Sequence, residues 1–137
     1  MIACHYDANL ILSEPFASRK DTHRILAYEK IMQRLSDNKL IVDLKVLDNE
    51  ASVEYKRAIT KKCNAKYQLV LTNTHRSNAA ECAICTFKDQ CLSILAGAAP
   101  DFPRNLWDLL LTQTEPTLNL LRQATLDPNQ YAWSYFH

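Results

Sequence analysis

The sequence predicts an α/β domain, and three observations predict it. Apolar residues alternate at period two in some stretches and recur at helical spacing in others, and the two kinds follow one another along the chain. The length, 137 residues, supports one domain and one core. The composition, 47% hydrophobic and 23% charged, is that of a globular chain and argues against a long disordered tail. A single glycine argues against phosphate loops and dinucleotide folds, which need close backbone approach to a phosphate. With 16 basic and 15 acidic side chains, net charge +1, there is no global polycation argument for nucleic acid. No apolar run reaches the ~20 residues of a membrane helix, so no membrane partner is expected. The start, Met1-Ile2-Ala3-Cys4-His5-Tyr6, has no signal-peptide core. With an odd count of five cysteines, this points to a reducing, intracellular setting, nuclear or cytoplasmic.

The elements follow in order. Met1 to Tyr6 reads as a strand and Asn9 to Glu14 as a second, with Asp7-Ala8 as the turn. The hairpin is the weakest element, because favoured hairpin turns carry glycine. From Asp21, read as an N-cap, the apolar positions Ile25, Tyr28, Met32 and Leu35 fall on one helical stripe. Leu40 to Leu47 alternates, with Val42, Leu44 and Val46 on one side and Asp43 and Lys45 on the other, predicting a half-buried strand. A second helix carries Ala51, Tyr55, Ala58 and Ile59 inward, and Tyr67 to Leu71 is the next strand. A polar loop over 72–77 leads into a third helix, about Ala79 to Ala96, with Gly97 as its C′ residue. Leu106, Leu109, Leu110, Leu118 and Leu121 stripe a last helical region, which Pro116 is expected to kink or split. The count is three to four strands with four helices.

Two carboxylates stand where chemistry is expected. Asp48 closes the alternating strand and Glu81 opens the third helix; a strand end and a helix start separated by one helix and one strand can converge. Oxygen ligands of this kind suit a hard cation such as Mg²⁺, and paired ions serve phosphoryl displacement. Between Glu54 and Glu81 there is no acid, while Lys56, Arg57, Lys61, Lys62, Lys66 and Arg76 all fall there. A basic stretch beside paired acids suits a nucleic-acid strand held over a metal site. Lys88 lies two turns after Glu81, on nearly the same helix face.

The run His75-Arg76-Ser77-Asn78-Ala79-Ala80-Glu81, with Ala83-Ile84 and Thr86-Phe87-Lys88, resembles the third-acid helix of integrase catalytic cores in copia-like retrotransposon polyproteins. Leu47-Asp48-Asn49-Glu50 resembles that family's second-acid motif, and Tyr6-Asp7-Ala8-Asn9 its second strand turning into its third. Phe102-Pro103, Leu106-Trp107 and Leu118-Asn119-Leu120-Leu121 are similar to the helices after the active site. The resemblance implies a ribonuclease-H-like fold, an Asp-Asp-Glu triad, Mg²⁺, a DNA partner, and strand transfer. On it, Asp48 and Glu81 are catalytic metal ligands; Arg76 and Lys88, with Lys61 and Lys62 from the basic stretch, are the expected nucleic-acid contacts.

The sequence also departs from that family. The strand that carries the family's first catalytic aspartate has no counterpart ahead of Ile2, and Asp7 is the one substitute on offer. In this fold the first strand is central, so its loss splits the sheet and exposes backbone edges. The chain by itself is therefore expected to be catalytically inactive. Cys82 and Cys85 replace an arginine and a polar residue on the DNA-facing helix. Blander readings remain beside these. Asn78 and Glu81 form a capping-box-like pattern, Asp48 can simply form a turn, and the basic stretch can be a solvated helix face. Cys82, Cys85 and Cys91 with His75 offer a thiol metal site, against which stands their helical context. The alternative function is a non-catalytic helical interaction or binding protein, its leucine-rich helices and aromatic tail packing on a partner or a second copy of the chain.

Overall fold

The computed structural model describes residues 1–47, 51–62, 65–70 and 79–136, and of Lys62 and Arg104 the backbone alone. Strands and helices alternate as β1 (Ile2–His5), β2 (Leu10–Ser13), α1 (Asp21–Asp37), β3 (Leu44–Leu47), α2 (Val53–Lys62), β4 (Lys66–Leu69), α3 (Ala79–Gly97) and α4 (Leu111–Leu120). Two 3-10 helices, Arg104–Leu110 and Ala132–Tyr135, flank α4. Among the described residues, the mixed α/β class, the four strands and the four α-helices agree with the sequence. The strands form two small sheets: β1 pairs antiparallel with β2, and β3 pairs parallel with β4. The chain divides into two compact units, one of Met1 with Glu14–Asn78, the other of Ile2–Ser13 with Ala79–His137. No described helix is long and apolar enough to cross a membrane.

In the second unit the hairpin closes without glycine. Asn9 takes φ 50°, in the left-handed region that asparagine tolerates, and its N–H donates to the Tyr6 carbonyl at 3.1 Å. All four residues of β2 are buried. Ala83 and Phe87 of α3 pack with Ile11 and with Leu118 of α4, and Ile2, Cys4, Cys91 and Leu111 lie against them. Gly97 is the last residue of α3, not the residue after it, and its φ is not positive. Its conformational freedom is unused; Ala98 N–H bonds to the Leu95 carbonyl as any residue could.

The last helices differ from expectation in two ways. α4 runs through Pro116 as one element, and Thr112, whose carbonyl Pro116 cannot serve, is an exposed residue. The break falls earlier, at Leu106, where φ −98° and ψ 23° leave the helical region. Of the leucine stripe, Leu110 and Leu118 are buried, whereas Leu106, Leu109 and Leu121 are exposed. The buried face of α4 is instead Thr114, Glu115, Leu118 and Asn119. Thr114 is satisfied within the helix, its hydroxyl donating to the Leu110 carbonyl at 2.7 Å, whereas Glu115 and Asn119 are used by β2. Asn119 Nδ2 donates to the Ile11 carbonyl at 2.8 Å, and its Oδ1 accepts the Ile11 N–H at 2.9 Å. Glu115 Oε2 accepts the Ser13 N–H at 2.7 Å and the Ser13 hydroxyl at 3.0 Å. Beyond α4, Arg122 Nε donates to the Asn9 carbonyl at 2.9 Å. Side chains one turn apart on a helix thus meet alternate residues of a strand edge.

In the first unit, α1 starts after Lys20, which makes no side-chain cap bond. Asp21 is not the cap but a first-turn acid, favoured by the helix dipole and paired with Arg24 at 3.6 Å. Tyr28 and Leu35 are buried as expected, together with Ala27 and Ile31; Ile25 and Met32 are half-buried at the margin. Tyr55, Ala58 and Ile59 of α2 face inward as expected. β3 is shorter than expected, and its inner side is the other one. Leu44 and Val46 are 51% and 55% exposed, while Leu47 is 6% exposed. Lys45 Nζ lies 3.7 Å from the centroid of the Tyr28 ring, which meets the Tyr55 ring edge-on at 5.6 Å. The ammonium is attracted to the ring face while its stem covers apolar surface. Strand alternation then carries Leu47 inward with Lys45 and turns Leu44 and Val46 out.

Candidate nucleic-acid interface

α3 presents two opposed faces. Ala83 and Phe87 lie inward in the core, and Glu81, Cys85, Lys88 and Leu92 form an exposed stripe on the opposite side. Glu81 sits in the first turn, where the positive helix end favours a carboxylate. Lys88 follows two turns on, about 10 Å along the axis. The expectation that these two share a face therefore holds, with Cys85 between them. Lys61 is exposed near the end of α2, and Lys62 is the last residue of that helix.

Other expected residues fall outside the described part of the chain. β3 ends at Leu47, directly before Asp48, which lies outside it with Asn49 and Glu50. Arg76, the His75 of the thiol reading and the Asn78 of the capping-box reading lie outside it too. Asp7 is exposed in the hairpin loop, where its backbone carbonyl accepts the N–H groups of Thr125 and Leu126 at 3.0 Å each. Cys82 and Cys85 are exposed free thiols, and Cys91 is half-buried. Among the described residues no three His, Cys, Asp or Glu side chains gather as a metal site.

Sequence reasoning missed one concavity. A pocket of about 220 Å³ is lined by Cys4, Tyr6, Cys82, Thr86, Arg122 and Thr125, with neighbours from the same unit. It lies against the Cys82–Thr86 flank of α3, away from the Glu81–Lys88 stripe. Burial pushes the Cys4 thiol above its ordinary pKa, and the Arg122 charge partly offsets this. Arg122 is itself held by the Asn9 carbonyl and by Asn9 Oδ1. No periodic signal marks this pocket, because the hairpin, α3 and the segment after α4 each contribute only a few residues to it.

No family model matches the chain, and no curated protein or solved structure matches it either.

Proposed function

We propose that this chain is an integrase-core-like DNA-binding domain of the copia retrotransposon type that has no strand-transfer activity by itself. The observation that carries this reading is the α3 stripe, on which Glu81 and Lys88 stand exposed on the side opposite the packed Ala83 and Phe87. A ribonuclease-H-like origin is supported by the strand pairing. An antiparallel pair early in the chain and a parallel pair later are two kinds of pairing that such a fold contains. Carboxylate oxygens suit Mg²⁺, and Asp48 with Glu81 would hold it. When bound, the ion supplies charge stabilisation at phosphate oxygens. Two acids alone leave much of the metal charge unneutralised, which is the reason for the expected inactivity. Lys88, Arg76, Lys61 and Lys62 serve phosphates, and the compartment is intracellular, nuclear or cytoplasmic.

Fluorescence anisotropy with a labelled duplex tests the reading. Lys88→Glu should weaken binding several-fold and reduce the salt slope by about one phosphate contact. Binding indifferent to Lys88→Glu, Lys61→Glu and Arg76→Glu alike would remove the DNA interface. Mg²⁺-dependent joining of labelled DNA ends, lost in Asp48→Asn, would instead show an active enzyme. A second reading, a helical interaction protein, is favoured by one observation: Trp107, Leu109, Leu120 and Leu121 are each more than half exposed. No measurable affinity for DNA, together with a stable complex through these residues, would decide for it.

A further inference from the structure

Arg122 stands at the pocket between the hairpin and α3 as a fixed cation without a counter-charge. Its Nε donates to the Asn9 carbonyl at 2.9 Å, and a terminal nitrogen donates to Asn9 Oδ1. Asn9 is held in turn, its Nδ2 donating to the Gln123 carbonyl at 2.8 Å. The guanidinium is therefore oriented before any ligand arrives. The rest of its fork has no partner among the described residues, and no carboxylate there pairs with it. Among the described residues, neither an acid nor a second cation lines the pocket. Burial raises the pKa of the Cys4 thiol and the Arg122 charge opposes that rise, so the cation's field extends across the cavity. Thr125 and Tyr6 add hydroxyls that no described residue engages. The Thr86 hydroxyl is already committed, donating to the Cys82 carbonyl at 2.8 Å. Cys4, Ala79 and Ala83 supply apolar wall, and all these residues belong to one compact unit.

We propose that this pocket binds a small monocarboxylate with an apolar body, the carboxylate on Arg122 and the body against the Cys4, Ala79 and Ala83 wall. A guanidinium fork matches two carboxylate oxygens with parallel N–H donors. One positive charge balances a monoanion, whereas it leaves a phosphate dianion half neutralised. The volume, about 220 Å³, lies below the ~300–1,000 Å³ of pockets for drug-sized ligands, which points to a molecule of about the size of benzoate. This goes beyond the DNA-binding reading and does not rest on it.

The chain carries its own reporter. Cys82 lines the pocket and Cys85, on the same helix, does not; both thiols are exposed. Iodoacetate bears a carboxylate and iodoacetamide is its neutral counterpart. With either, the thiolate sulfur displaces iodide and forms a C–S bond, and tandem mass spectrometry locates the adduct. The ratio of Cys82 to Cys85 modification should be about three- to fivefold higher with iodoacetate than with iodoacetamide. Arg122→Gln should bring the two ratios together. Because Arg122 also ties down Asn9, a second measurement uses the unaltered chain. Benzoate over about 1–50 mM should shield Cys82, and not Cys85, from iodoacetamide, while neutral benzamide should shield neither. Equal ratios for the two reagents, shielding by benzamide as good as that by benzoate, or a preference that survives Arg122→Gln would overturn the proposal.

Discussion

Asn119 does for β2 what a neighbouring strand would do, and at no exposure to solvent. Its removal strands two buried backbone groups, each costing on the order of 1–3 kcal/mol. Asn119→Ala should therefore destabilise the fold by roughly 2–4 kcal/mol in urea denaturation, far more than a substitution at exposed Leu121. Cys4 offers a second residue-scale test. Its thiol pKa is raised by burial in the folded chain, so the unfolded chain loses the proton first as pH rises. Stability contributed by Cys4 is then complete at neutral pH and declines as pH passes the ordinary thiol range. Cys4→Ala should flatten that alkaline decline. In timed alkylation at neutral pH, Cys82 and Cys85, both exposed, should react well before Cys4.

At the scale of elements, periodicity finds a helix more surely than it finds which side of a strand faces inward. Tyr55, Ala58 and Ile59 were legible because three apolar residues at helical spacing admit one inner face. The alternation of Val42, Leu44 and Val46 admitted a wrong one, because the determinant is a lysine above two tyrosine rings, and such a contact exists only once α1 and α2 are in place. The consequence is measurable: Leu47→Ala should cost about 2–4 kcal/mol, and Val46→Thr less than about 1 kcal/mol. The buried face of α4 was illegible for a related reason. Glu115 and Asn119 look like surface residues until a strand edge needs them. Of the candidate site, the common helix face of Glu81 and Lys88 was legible from helical spacing, whereas the pocket beside Cys82 was not, since its walls come from three separate stretches.

At the scale of the whole molecule, each of the two compact units has a buried cluster of its own among the described residues. Tyr28, Leu47, Tyr55, Ile59 and Ala65 make one; Ile11, Ala83, Phe87 and Leu118 make the other. Ile59→Ala should cost about 2–5 and Phe87→Ala about 3–5 kcal/mol. Each is read from urea denaturation of the single variant. The side chains that close β2 lie 102 to 113 residues further along the chain than the groups they serve. At a synthesis rate of about 5–20 residues per second, that interval is on the order of ten seconds on the ribosome. Through that time the nascent hairpin exposes both of its edges, so birth is the moment at which this polypeptide depends most on chaperones to keep it from annealing to its neighbours.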